Sequence, residues 1–318
     1  MREPGRLEAR VRIVAAGICG TDLALTSGDY PVPLPLVPGH EWVGVVEAIG
    51  PGVLPEMVGA RVVGEINRTC RSEDRETACA ACAADLERHC LDRTVMGIIR
   101  MDGAWATDAI VPALNLHAVP FGVPDAHAVL VEPLAAAIQT FELAPVFPGD
   151  QVVVLGAGRL GALIAQVARL RGARVIAVAR SQAKRQRAKK LGAKHVLAPG
   201  GDLAREVREI TGPLGADVVV EATGDAGGLA VALSLVRPRG TIALKTTCGR
   251  PATLDVTRAV VDEVQISTSR CGPFARAIGM LRDGGLKLDP LITARLPLDR
   301  VHEGLELASA GGKVLLEP

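Results

Sequence analysis

The six residues Gly156-Ala157-Gly158-Arg159-Leu160-Gly161 constrain this chain more than any others. They follow an unbroken apolar run, Val152-Val153-Val154-Leu155, and lead into apolar residues at helical spacing: Leu160, Leu163, Ile164, Val167 and Leu170. A G-x-G-x-x-G alone is weak evidence, because glycine turns are common. Between a strand and a helix it specifies a βαβ unit whose backbone can approach a pyrophosphate at a helix N-terminus. Strands and amphipathic stretches keep alternating afterwards, with strands expected at 151–155, 174–179, 217–222, 241–245 and 264–269. That pattern predicts an open parallel sheet, a doubly wound Rossmann domain of α/β class that holds NAD(P).

The first 125 residues read differently. Val11 and Ile13 alternate with Arg10 and Arg12 as in a half-buried strand, and 42–49, 61–64 and 103–111 carry the same β signal. The run Tyr30-Pro31-Val32-Pro33-Leu34-Pro35-Leu36-Val37-Pro38 cannot be regular structure, since its prolines lack backbone donors. A chain of 318 residues has room for two cores. With only 2% aromatics, those cores must be built from Val, Leu, Ile and Ala, which suits a parallel sheet covered by helices.

A net charge of +1 gives no reason to expect nucleic acid or an anionic membrane as partner. No apolar stretch reaches spanning length, and residues 1–12 are too charged for a secretory leader. The chain is expected in the cytoplasm, with its thiols reduced. Four of its seven cysteines, Cys70, Cys79, Cys82 and Cys90, cluster, which points to metal before disulfide.

A second set of residues offers metal chemistry of another kind. Cys19 stands in Gly17-Ile18-Cys19-Gly20-Thr21-Asp22, His40 in Gly39-His40-Glu41, and Glu132 in Val131-Glu132-Pro133-Leu134. A thiolate, an imidazole and a carboxylate leave one position open, the pattern of a catalytic zinc. Taken together with the fingerprint, these motifs resemble the zinc-dependent medium-chain dehydrogenase/reductase family, the alcohol, polyol and threonine dehydrogenases, over nearly the whole chain.

The resemblance implies a β-rich, GroES-like catalytic domain formed by 1–125 and 271–318, with the Rossmann domain at 126–270. Cys19, His40 and Glu132 would hold the catalytic zinc, Glu41 would enter its shell on ligand exchange, and Asp22 would orient a ligand. Thr21 matches the hydroxyl that hands a proton onward, although the histidine that ends this relay in some relatives is Ala24 here. Cys70, Cys79, Cys82 and Cys90 would hold a structural zinc, two zinc ions per chain in all. The gaps among the last three fit the family spacing, while eight residues, 71–78, separate Cys70 from Cys79 where relatives have two. Met1-Arg2-Glu3-Pro4-Gly5 begins where relatives turn after their first strands, so those strands are expected to be lacking. The implied activity is hydride transfer between an alcohol and NAD(P). Glutamate as third ligand favours polyols, sugar-derived or other secondary alcohols, in a homodimer or homotetramer joined through the 264–269 edge. A zinc-free reductase of activated double bonds and a non-catalytic nucleotide-binding protein are the rival readings.

The nucleotide is expected to contact Gly156, Gly158, Arg159, Leu160, Gly161, Arg180 and Ser181. An NAD-binding domain normally carries an acid at the end of its second strand, for the adenine ribose hydroxyls. That position is Ala179 here, followed by Arg180 and Ser181, a cation and a hydroxyl suited to a 2′-phosphate. NADP is therefore expected over NAD, with Lys184 or Arg185 as a further contact.

Overall fold

The computed structural model describes residues 2–247 and 249–318; Cys248 lies outside them. The chain forms two compact units. One comprises Met1–Glu132, Phe274–Gly284 and Ile292–Pro318; the other comprises Pro133–Pro273 and Gly285–Leu291.

Among the described residues, the first unit is built on a seven-stranded sheet. Its order is Ile292–Pro297, Lys313–Glu317, Glu8–Gly17, Glu41–Ile49, Arg61–Gly64 and Leu116–Ala118, with Asp108–Pro112 also paired to Glu8–Gly17. The strand Glu8–Gly17 is the hub. It runs antiparallel to Glu41–Ile49 along nearly its whole length, to Asp108–Pro112 at its start, and to Lys313–Glu317 at its end. Ala9, Val11, Ile13, Ala15 and Ala16 are buried, as the alternation requires. The C-terminal strand Lys313–Glu317 thus reaches the same strand end that leads into Cys19.

One expected strand is shorter than its pattern suggests. Only Asp108–Pro112 of the 103–111 stretch is extended and paired. Before it, Gly103, Ala104 and Trp105 donate to the carbonyls of Val37, Gly39 and Pro38. Their backbone donors are spent on the proline-rich loop, so they cannot also serve a ladder.

The second unit carries a six-stranded parallel sheet in the order His195–Leu197, Arg174–Val178, Gln151–Leu155, Ala216–Glu221, Val236–Leu244 and Gln265–Thr268. This is the doubly wound order, with its reversal between Gln151–Leu155 and Ala216–Glu221. Val152, Val153 and Val154 are all fully buried, because helices cover both faces of a parallel sheet. Lys245, just past one strand end, donates to Ser269 O and Oγ at 2.9 Å and to Ala136 O at 3.2 Å. It buttresses the unit rather than standing on the surface. Among the described residues no helix is long and apolar enough to cross a membrane.

Candidate zinc and nucleotide sites

Cys19 caps the helix Gly20–Ser27, and its backbone N–H donates to Asp22 Oδ2 at 2.8 Å. His40 stands at the mouth of the strand Glu41–Ile49. Gly39 before it has φ +100°, and a Cβ there would lie 2.4 Å from the Trp105 ring, so only glycine allows this approach. These loops bring donor atoms of Cys19, His40 and Glu41 to within 4.8 Å of one another.

Asp22, His40 and Glu41 are buried, yet Asp22 Oδ1, His40 Nδ1 and Glu41 Oε1 have no hydrogen-bond partner. Asp22 Oδ1 lies 3.3 Å from His40 Nδ1, within ion-pair reach but out of hydrogen-bond alignment. Orphaned buried polar atoms are costly unless a ligand completes them. A thiolate, an imidazole and a carboxylate are the donors zinc takes. Burial by itself would depress the His40 imidazole, but the negative charges of Asp22 and Cys19 outweigh it and hold the group well above its ordinary value.

Glu132 opens the helix Val131–Leu143, half-buried, and does not join the converging trio. The carboxylate beside the thiolate and imidazole is Glu41. Thr21 Oγ1 stands 4.0 Å from Cys19 Sγ. A further residue touches this trio without any sequence signal: Lys313 is 2% exposed and pairs with Glu41 Oε2. It lies 272 residues from Glu41 in sequence, and a lysine near a C-terminus ordinarily reads as solvated surface.

The four-cysteine lobe closes despite its insert. Cys70, Cys79, Cys82 and Cys90 place their sulfurs within 4.8 Å of one another, with Cys70–Cys90 at 3.6 Å and Cys79–Cys90 at 3.8 Å. Thiolates about 2.3 Å from a tetrahedral ion stand about 3.8 Å apart, far beyond a disulfide bond of about 2 Å. Ion pairs tie the insert to the rest of the lobe: Arg71 to Asp85 and Glu87, and Arg75 to Asp92. Backbone N–H groups of Cys82 and Leu91 pull the Cys79 thiol down to about 6, while burial drives Cys82 up to about 12.

The nucleotide edge lies in the second unit. Gly156 has φ +91°, and a Cβ would lie 2.4 Å from Ala222 O; at Gly161 it would lie 2.0 Å from Gly156 O. A Cβ at Gly158 would meet nothing within 4 Å, so the backbone there is open to a ligand. Arg159 and Leu160 begin the helix Arg159–Leu170. Ala179 is buried; Arg180 is 76% exposed, with Nη2 3.9 Å from Asp225 Oδ2. Ser181 caps the helix Gln182–Lys190 by accepting from Lys184 N at 3.3 Å. Arg185 turns inward and donates through Nη1 to the carbonyls of Ala179 and Arg180, which fixes the turn. Burial, then the charges of Arg159, Arg187 and Arg180, hold the Lys184 ammonium below its ordinary value.

Comparison with known proteins gives the family. Residues 5–121 match the alcohol dehydrogenase GroES-like domain, and residues 160–283 match the zinc-binding dehydrogenase family. L-threonine 3-dehydrogenase of Pyrococcus horikoshii is 33% identical over 327 aligned positions, covering 98% of this chain and 92% of its own length. Sorbitol dehydrogenase of Halalkalibacterium halodurans is 28% identical, covering 99% and 93%. Among solved structures, an alcohol dehydrogenase from E. coli CFT073 complexed with NADH superposes with a TM-score of 0.92 at 28% identity, covering 100% and 94%. A zinc-binding dehydrogenase from Sinorhizobium meliloti 1021 bound to NADP gives 0.89 at 30% identity, with the same coverage.

Proposed function

The chain belongs to the zinc-dependent medium-chain dehydrogenases, and from that premise we propose that it interconverts a secondary alcohol and its carbonyl, with NADP as the hydride carrier. The observation that carries this reading is the convergence of Cys19, His40 and Glu41, with the buried Glu41 Oε1 left without a hydrogen-bond partner. Cys19 and His40 would hold the catalytic zinc, with Glu132 as third ligand and Glu41 in reserve. When bound, the ion supplies a Lewis acid that polarises the substrate oxygen.

The chain's own groups then have separable tasks. Asp22 fixes the Cys19 loop through the backbone N–H and faces the far nitrogen of His40, holding both donors toward one point. The Thr21 hydroxyl passes the substrate proton outward; Ala24 carries no imidazole, so water or the cofactor ribose receives it. Gly156, Gly158 and Gly161, with Arg159 and Leu160, cradle the pyrophosphate at the helix start. Arg180 faces the 2′-phosphate, and Ser181 sets the helix turn beside it. Absence of an acid at Ala179, together with the cationic surroundings of Lys184, supports NADP over NAD.

The structural lobe would hold the second zinc on Cys70, Cys79, Cys82 and Cys90. Substrates are sought among polyols, sugar-derived alcohols and other secondary alcohols, the class that includes those named for the threonine and sorbitol dehydrogenases it resembles. The protein would act as a homodimer or homotetramer in the cytoplasm, where such thiols stay reduced. The test is a panel of these alcohols and their carbonyls, run on zinc-replete protein with NADPH and NADH in parallel. Turnover that is lost on zinc removal and restored by zinc supports the reading. No turnover of any member, or turnover indifferent to zinc, refutes it.

A further inference from the structure

Lys313 is a fully enclosed cation with two partners. Its Nζ donates to Ile18 O at 3.2 Å and pairs with Glu41 Oε2. The backbone beside it accepts from Ile18 N through Val314 O at 3.0 Å, so the C-terminal strand grips both sides of the residue before Cys19. Glu41 is 0% exposed, and its other oxygen, Oε1, has no hydrogen-bond partner. Gly17 leaves room for this pair, since a Cβ there would lie 2.4 Å from Glu41 Oε2.

Stability does not account for such a pair, because burying two charges returns little net free energy compared with apolar packing. Its position offers another role. With Cys19, His40 and Glu132 around a divalent ion, the two ligand charges already balance the metal. A full carboxylate from Glu41 would add one negative charge and close the position a substrate needs.

We propose that Lys313 is a positioning residue that neutralises Glu41 and keeps it a weak, exchangeable partner of the zinc. Lys313 holds Oε2, leaving only Oε1 for the metal, so the fourth position opens when substrate arrives. This rests on the zinc reading above. It predicts that loss of the cation strengthens metal binding, the opposite of what a merely structural lysine would give.

The test uses full-length protein and measures affinity for the zinc ion that is lost in His40→Ala, by competition with a chromophoric chelator. Lys313→Met should bind that zinc about tenfold or more tightly, while Lys313→Arg should stay within about threefold of wild type. In cobalt-loaded protein, the visible bands of Lys313→Met should report an added oxygen ligand that Lys313→Arg lacks. Unchanged or weaker zinc binding by Lys313→Met would overturn the proposal. Should that variant not fold, the charge-free pair Glu41→Gln/Lys313→Met carries the test. Zinc affinity within about threefold of wild type supports a Glu41 held back by Lys313. A loss of about tenfold or more would make Glu41 a full ligand in the wild type and end the proposal. If wild-type protein binds no zinc at His40, the reading beneath fails instead, and the stoichiometry of the wild type distinguishes that case.

Discussion

Asp22 joins the Cys19 and His40 loops by its two oxygens: Oδ2 accepts from Cys19 N at 2.8 Å, and Oδ1 stands 3.3 Å from His40 Nδ1. Asp22 thus faces Nδ1 of the imidazole, which under the proposed zinc reading leaves Nε2 for the metal. Asp22→Asn keeps the shape and removes the charge. Zinc affinity at the His40 site should fall about 10- to 100-fold, as read by chelator competition. Affinity within threefold of wild type would show that the carboxylate orients nothing.

The same charge has a pH signature. In metal-free protein, burial opposes the protonated imidazole, but Asp22 and Cys19 prevail and raise the His40 value. A raised folded-state value stabilises the metal-free fold fully below the ordinary imidazole range, and that stabilisation is lost as pH rises through the raised value. Zinc must displace this proton, so its affinity for the His40 site should climb from about pH 6 to about pH 8 more steeply in wild type than in Asp22→Asn. Parallel slopes in the two proteins would refute this.

For the four-cysteine lobe the expectation is a second zinc per chain, lost on Cys82→Ser together with a lower melting temperature, since structural zinc contributes folding free energy. In metal-free protein at neutral pH, alkylation should reach Cys79 first, because its thiol is drawn down to about 6, and Cys82 last, because its thiol is pushed up to about 12. Zinc should protect all four. Mass spectrometry of briefly alkylated protein decides this, and uniform labelling would argue against the lobe's geometry.

Much of this molecule is legible along the chain because its signals are local. Val152 to Leu155 and the glycines after them define strand, turn and helix within a dozen residues, and the sheet order follows from repeating that unit. The cysteines of the lobe are equally readable, although the insert at 71–78 obscured the spacing; Arg71 and Arg75 pin that insert to acids a turn or more away. What the chain conceals are the long-range partnerships. The 103–111 stretch has a β pattern, yet its first residues serve the loop that delivers His40. Arg185 looks like any cation of a solvated helix until its guanidinium is seen to fold back on Ala179 and Arg180. Lys313 meets Glu41 only because the last strand crosses the end of Glu8–Gly17, a consequence of topology that no window of sequence contains.

The outer edge of the parallel sheet carries the expectation about assembly. Gln265–Thr268 pairs only with Val236–Leu244 among the described residues, and Ile266 on it is 42% exposed. On the helix Val256–Val261, Val260 and Val261 are 69% and 75% exposed. An unpaired edge beside bare valines is a surface that invites a second copy. If the wild type sediments as the expected oligomer, Val260→Lys/Val261→Lys should yield a folded monomer in sedimentation velocity. A wild-type protein that sediments as a monomer at micromolar concentration would exclude the interface.

Cofactor choice can be tested by exchange of charge. Arg180 is the cation after Ala179, and its guanidinium stands 3.9 Å from the Asp225 carboxylate, which also accepts from Gly227 N at 2.8 Å. Both side chains are exposed enough that this pair contributes little by itself. A 2′-phosphate would gain a charge-assisted hydrogen bond of about 1.5–3 kcal/mol from Arg180, lessened by solvent and by repulsion from Asp225. The expected net is about one decade in favour of NADPH in kcat/KM. Asp225→Asn removes the repulsion and should raise kcat/KM with NADPH several-fold while leaving NADH nearly unchanged. Ala179→Asp/Arg180→Leu should reverse the preference, because the new carboxylate repels the phosphate and can accept from ribose hydroxyls. Steady-state kinetics with both cofactors measure each ratio. A wild type that prefers NADH, with Arg180→Leu leaving the ratio unmoved, would place Arg180 in solvent and leave the phosphate without its proposed partner.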